Sequence, residues 1–321
     1  MKNVALKATP GNKIANRKVI SDTLLELGKK DRDILVLTSD SRGSASMVQF
    51  GEELPQQIVE VGIAEQNIVG MASGLAHSGK KPFVASPACF LSMRSIEQIK
   101  VDVAYSRTNV KLIGISGGVS YGALGMSHHS LQDIAVTRAI PGLDVMLPAD
   151  RHEAKKMIEA LVEYERPVYI RIGRNPVEDS YVSEDYEFEI GKAVTMREGT
   201  DITIIATGET VRVALDSAEA LEEVGVSCRV INMHTIKPLD EEAIIKAAKE
   251  TGKIITMEEH SIYGGLGSAV TEVVSQTCPI PVKVLGIPDE PAITGKTAEV
   301  FKHYGLSVKN AKAIALEMTS R

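Results

Sequence analysis

The sequence is poor in cysteine: Cys89, Cys228 and Cys278 are the only three in 321 residues. They are too few and too far apart for a disulfide framework or a zinc site, and such sparse use suggests a reducing cytoplasm. No uninterrupted apolar run reaches the about 20 residues of a membrane span. The opening MKNVALKATPGNK has no apolar stretch followed by a cleavage site, so it does not read as a signal peptide. No basic block interrupts a net charge of −6, which argues against nucleic acid or a membrane surface as partner. Repeats and low-complexity tracts are lacking, and tryptophan is absent without consequence for the argument. What remains, 44% hydrophobic and 24% charged, is ordinary for a soluble globular chain long enough for about two domains.

Apolar runs alternate with amphipathic stretches along most of the chain. RKVISDTLLELGKK (17–30) has helical spacing, and ILVLT (34–38) reads as a buried parallel strand ending in the polar turn SDSRGS. Further strands are expected near 57–61, at 81–88, 110–116, 143–150 and 166–174, with helices at 64–78, 90–107 and 151–163. Residues 175–189 lose this periodicity, turn acidic and contain Pro176, as an interdomain linker would. A second series follows: strands at 202–206, 226–231, 253–258 and 282–286, helices at 210–224, 240–250 and 265–276. The pattern predicts an α/β chain of two domains with mostly parallel sheets, 1–175 and 191–321, joined by a linker at 176–190.

Three stretches carry candidate chemistry. In VEVGIAEQNIVG (59–70), a β-rich run meets Gly62 and a helix opens with Glu65 in its first turn. Open α/β sheets bind ligands at that carboxyl edge, although a first-turn carboxylate also suits the helix dipole alone. The loop GGVSYGALGMSHHS (117–130) holds His128 and His129 beyond a strand. Residues of this kind act as acid/base groups, metal ligands or plain surface; no nearby Cys or third His supports a metal. YGGLGSAV (263–270) partly matches a dinucleotide fingerprint but lacks its third glycine, so a helix N-terminus packed closely at a domain or subunit contact is the better reading. Arg17, Arg171 and Arg174 are scattered cations. Of these, Arg174 sits at a strand end where a guanidinium can hold phosphate or carboxylate.

Taken together, Arg17-Lys18, Ser39-Asp40, GIAEQN, the Phe90-Leu91 of ACFLSMRS, the Ser127-His128 of GMSHHS and IRIGRNP resemble the carboxyl-terminal two-thirds of transketolase, a thiamine-diphosphate-dependent family. The resemblance spans nearly the whole chain and implies a pyrimidine-binding domain followed by the transketolase carboxyl-terminal domain. It implies transfer of a two-carbon ketol unit from a ketose phosphate to an aldose through a cofactor adduct. Glu65 would hydrogen-bond the ring nitrogen of the aminopyrimidine, promoting the tautomer that activates the thiazolium carbon. Phe90 would pack on the pyrimidine, with Met93 where the family has an aromatic, and Asp40 would lie near the thiazolium. His128 would face the substrate, and Arg17, Ser44 and Arg174 would hold a sugar phosphate.

The G-D-G motif with which such enzymes bind the diphosphate through magnesium or another divalent cation is missing from this chain. The resemblance is therefore to the carboxyl-terminal (beta) subunit of a split transketolase. An amino-terminal subunit would supply the diphosphate and metal site, and an α2β2 heterotetramer would form. Leu124 stands four residues before His128 where the family usually has Asp, and Ser116 where it has a phosphate-binding His, which leaves the sugar open. The segment MEEHSIYGGLG (257–267) is also similar to the beta subunit of 2-oxoacid dehydrogenases, but IRIGRNP and the SHH loop favour transketolase. Deoxyxylulose phosphate synthase, normally one longer chain, shares the domain. A non-catalytic binding or regulatory subunit is the alternative of another class, motivated by Met93, Leu124 and Ser116 and opposed by Glu65.

Overall fold

The structure is a computed structural model and describes residues 13–320. Most of the opening segment read above for a signal peptide, residues 1–12, lies outside the described residues. Two sheets organise the chain. The first takes β1 (Ile34–Thr38), β2 (Ile58–Glu60), β3 (Lys81–Pro87), β4 (Lys111–Ile115), β5 (Asp144–Met146) and β6 (Val168–Arg171). The second takes β7 (Val194–Arg197), β8 (Ile202–Ala206), β9 (Cys228–Asn232), β11 (Ile254–Ser261) and β12 (Val282–Ile287); the short β10 (Thr235–Lys237) lies between β9 and β11 in the chain. The first sheet runs β10-β5-β6-β4-β3-β1-β2 and the second β12-β11-β8-β9-β7. All pairings are parallel except β10 with β5 and β7 with β9.

The period of two in the strands decides which core each side chain joins. Leu35, Leu37, Val84 and Leu112 face one apolar cluster. Their neighbours Ile34, Val36, Phe83 and Ile113 face the opposite one, under Ile20, Leu24 and Phe50. β1 and β4 are buried along their whole length, which is why they run apolar without alternation, except that Lys111 opens β4 and donates to the Arg166 carbonyl at 3.0 Å. The first cluster also takes in Ile205, Ile231, Met233 and Ile244 of the second half, so the two sheets share a core.

The second half is less self-contained than a simple α/β repeat implies. Directly after β9 the chain crosses back, and β10 adds an antiparallel edge to the first sheet, with Thr235 opposite Met146. Residues 176–190 carry no helix or strand, yet they are tied down. Ser180 and Tyr181 donate backbone N–H groups to Asp150 Oδ2 at 2.6 and 2.8 Å, and Arg151 forks onto Asp179.

The expected continuous helix over 90–107 is broken. It comprises Ala88–Arg94, Ile96–Gln98 and a wider π-helical piece, Ile99–Tyr105. Ser95 has non-helical backbone angles at the break. In the π piece the widened turn leaves carbonyls to be satisfied from outside. Ser73 Oγ and Thr108 Oγ1 both donate to the carbonyl of Asp102, at 2.8 and 3.2 Å. No helix among the described residues is long and apolar enough to cross a membrane.

Candidate active site

In the first sheet the chain leaves β1 for β2 on one side and returns to β3 on the other. The carboxyl ends of β1 and β3 therefore flank a topological switch point, where open α/β sheets form a crevice. Two short bonds pin its floor: Ser39 Oγ to Ser86 Oγ, 2.7 Å, and Ser41 Oγ to the Ala85 carbonyl, 2.8 Å. Asp40, just beyond β1, is exposed and left-handed, with φ 53°. Glu60 braces this turn by accepting from the Asp40 N–H at 2.7 Å, the Gly62 N–H at 3.2 Å and Thr38 Oγ1 at 2.8 Å. Ser116, just beyond β4, is likewise left-handed at φ 56° and fully buried. Two non-glycine residues in this region, at the ends of the strands on either side of β3, mark backbone held by its surroundings.

Around this edge the side chains form an unbroken series of contacts. Glu65 opens the helix Glu65–His77 and is 5% exposed. Its Oε1 accepts from Arg94 Nη1 at 3.0 Å. The Arg94 guanidinium lies over the Phe90 ring, 4.0 Å from the centroid. Phe90 meets the His128 ring edge-on at 5.2 Å, and His128 meets Tyr121 in the same manner at 5.4 Å. Arg174 covers the Tyr121 ring at 5.3 Å. Arg17 Nε donates to the Arg174 carbonyl at 3.0 Å and its Nη1 to the Ser44 carbonyl at 2.8 Å. Glu65, Phe90, His128, Arg17, Ser44 and Arg174 are thus brought to one edge. Met93 lies on the same short helix as Phe90, half exposed.

The electrostatics at the arginine end suit an anion. Burial, and next the neighbouring Arg174 guanidinium, hold Arg17 below its ordinary pKa. Arg174 Nη1 is buried with no hydrogen-bond partner, and a buried donor left unpaired costs stability until a ligand takes it. Ser44 meets Arg17 through its backbone carbonyl. His128 Nδ1 pairs with Ser127 Oγ at 2.9 Å, whereas His129 turns inward, Nε2 3.2 Å from the Gly122 carbonyl. Burial lowers the pKa of His129. Leu124 and Met126, more than half exposed, give the loop an apolar rim.

Arg171 belongs to a different constellation. It is 5% exposed; its Nη2 donates to the Glu259 carbonyl at 2.7 Å, and its Nε lies 3.5 Å from Asp133 Oδ2. Tyr169 Oη donates to the same Asp133 oxygen at 2.8 Å. Glu259 accepts from the Val119 N–H at 2.8 Å, so a buried ion network from both sheets holds the root of the His128 loop. A Cβ on Gly118 would sit 2.2 Å from Arg171 Nη2 and 2.2 Å from Glu259 Cδ, which explains the Gly117-Gly118 pair.

The helix after YGGLG also has its N-terminus filled from within. Glu258 accepts from the Leu266 and Gly267 N–H groups at 2.7 and 2.8 Å. An internal carboxylate occupies the place a dinucleotide's pyrophosphate takes in the fingerprint fold. Among the described residues no group of three or more His, Cys, Asp or Glu could hold a metal ion.

A sheet whose switch point carries a buried first-turn carboxylate, an aromatic face, a histidine and two arginines has the make-up of a ligand site on a two-domain α/β chain. The transketolase pyrimidine-binding domain profile matches residues 12–178 and the transketolase C-terminal domain profile matches 191–310. The chain belongs to the transketolase family. It is 54% identical over 97% of its length, and 99% of the relative's, to one of the subunits of the apulose-4-phosphate transketolase of Phocaeicola vulgatus. It is 39% identical, over 95% of this chain and 94% of the relative, to 6-deoxy-6-sulfo-D-fructose transketolase subunit SqwH of Clostridium sp. strain MSTE9. A solved split gene transketolase, described as an inactive beta4 tetramer, superposes with TM-score 0.87 at 37% identity, covering 95% of this chain and 98% of that one. Thiamine-diphosphate dependence goes with the family.

Proposed function

We propose that the chain is the beta subunit of a split transketolase that moves a two-carbon ketol unit from a ketose phosphate to an aldose. The observation that carries this reading is the contact series from Glu65 to Arg17. It joins a carboxylate and an aromatic face suited to an aminopyrimidine to a pair of guanidiniums suited to a phosphate, with His128 between them. Residues 1–175 bind the cofactor's pyrimidine half and the sugar, 176–190 link, and 191–321 provide assembly surface.

Bound thiamine diphosphate supplies a carbon nucleophile for the ketose carbonyl. Glu65 would hold a proton at the pyrimidine ring nitrogen, Phe90 and Met93 would hold the ring, and Asp40 would serve the thiazolium side. His128 holds or moves protons at the sugar hydroxyls. Arg174 Nη1 takes the sugar phosphate, and Arg17, braced on the backbone of Ser44, adds charge behind it. An amino-terminal subunit would hold the diphosphate through magnesium, and the two kinds of chain would form an α2β2 unit in the cytoplasm.

A pocket shared between chains is only half built in either one. This is consistent with the shallow cleft of about 400 Å³ beside Glu65 and Arg94, smaller than the hollow of about 830 Å³ between Lys100 and Pro167. Leu124 in place of a carboxylate, and relatives named for apulose 4-phosphate and sulfofructose, favour a ketose outside the standard pentose phosphates.

The test is calorimetry of the chain alone and mixed with the product of the adjacent gene, each titrated with thiamine diphosphate and magnesium, followed by a ketose screen. Uptake and ketose cleavage by the mixture alone is the expected result. Tight magnesium-dependent uptake by the single chain would refute the division of the site. A complex that takes up cofactor but cleaves no ketose would refute the activity.

A further inference from the structure

Arg94 makes, within the chain, the two contacts assigned above to the cofactor's pyrimidine. Its guanidinium lies 4.0 Å over the Phe90 ring and donates to Glu65 Oε1 at 3.0 Å. A guanidinium is planar and cationic, with N–H groups flanking one carbon. A 4-aminopyrimidine protonated at its ring nitrogen offers the same elements: a flat π face, an N–C–N edge and an N–H aimed at a carboxylate. Both cannot occupy the Phe90 face and the Glu65 oxygen together.

We propose that Arg94 is an internal placeholder for the aminopyrimidine, closing the cofactor's pyrimidine subsite until the cofactor displaces it. The inference rests on the transketolase reading of the site. Three further observations support it. Arg94 is four residues after Phe90 on one short helix, so the side chains share a face. The Arg94 side chain is 51% exposed and the Glu65 side chain 6%, so the lid stands on the solvent side and the carboxylate beneath it. The cleft at this point is lined by Ile63, Ala64, Glu65, Gln66, Asn67 and Arg94 itself, which gives the ring a route in once the guanidinium swings out. The placeholder keeps the carboxylate paired and the Phe90 face covered before assembly, and it taxes cofactor affinity by the fraction of time it stays closed.

The experiment uses the assembled complex of this chain with its amino-terminal subunit, and titrates thiamine diphosphate with magnesium by calorimetry into wild type and Arg94→Ala. An exposed ion pair and a cation–π contact are together worth enough to predict an affinity gain of roughly 5- to 20-fold in the variant. A second measurement adds guanidinium chloride at a sub-denaturing concentration, with sodium chloride of equal ionic strength as the control. Guanidinium should compete with the cofactor in Arg94→Ala and scarcely in wild type. Unchanged or weaker cofactor binding by Arg94→Ala, or no competition by guanidinium, overturns the placeholder while leaving the cofactor reading intact. A complex in which neither protein takes up cofactor overturns both.

Discussion

Glu65 combines 5% exposure with a position in the first turn of a helix. A side chain buried there depends on a fitted hydrogen-bond partner. Glu65→Ala removes the carboxylate that lines that cleft; ketol transfer by the assembled complex should fall by roughly 100-fold or more. A variant with unchanged turnover would instead support a non-catalytic role for the chain. His128 touches two aromatic rings, so His128→Ala should lower turnover by roughly 100-fold while thiamine diphosphate affinity stays within error; equal loss of cofactor affinity would remove it from the sugar. Arg174 offers a buried, unpartnered donor. Arg174→Ala should raise KM for phosphorylated sugars by roughly 10-fold or more, as expected for a lost charge-assisted bond, and an unchanged KM would exclude it from the phosphate site. The sequence drew attention to these residues because each follows a strand-to-turn signal, but the roles proposed for them came only from the family resemblance. It drew none to Arg94, which stands beside Met93 and whose spacing of four from Phe90 within a helix is the only hint of a shared face.

At the scale of elements, strand–turn–helix order was legible because buried parallel strands are short apolar runs bounded by glycine or polar turns, as ILVLT and KLIGI are. The break at Ser95 was not. The apolar periodicity of 90–107 continues through it, and the π turn is set by hydroxyls from Ser73 and Thr108. The three residues of β10 are too few to carry a period, and their partner strand lies about ninety residues earlier in the chain. The glycine-rich helix N-terminus was legible as a close-packed one, but its occupant was not. Glu258 precedes it by only a few residues and curls back through tertiary packing. A Cβ on Gly265 would stand 2.0 Å from Glu258 Oε2, so Gly265→Ala must push that carboxylate off two N–H donors. The expected loss is about 2 kcal/mol or more, read as a lower urea midpoint at unchanged slope. An unaltered midpoint would mean the helix cap is dispensable.

Across the whole molecule, the two halves are fastened by buried polar groups from distant parts of the chain, which no local pattern announces. Glu153 sits at the helix Arg151–Val162 of the first half, fully buried. Its carboxylate accepts from Asn232 Nδ2 of the second sheet at 2.9 and 3.0 Å and from Tyr181 Oη of the connecting segment at 2.8 Å. The Ala149 N–H adds a fourth bond at 2.7 Å. Burial outweighs these donors and pushes its pKa from 4.5 up to about 7. The native state therefore holds a proton between about pH 4.5 and 7 that the unfolded chain has released, and stability must fall as pH rises through that window. The raised carboxyl contributes on the order of 3 kcal/mol to the difference between its ends. His234, lowered by burial to about 4, acts in the opposite sense, weakening the fold as pH falls below its unfolded value near 6.5. The wild-type profile mixes these with other buried groups, among them Glu209, pushed up to about 8, and Glu259, pushed up to about 7, so only the difference between variants isolates Glu153. Glu153→Gln keeps an acceptor for Asn232 and cannot ionise. Urea unfolding of both proteins at about pH 5 and about pH 8 should show the variant losing less stability on going to the higher pH. Parallel profiles would mean that Glu153 stays ionised in the native state, with its four hydrogen bonds outweighing burial.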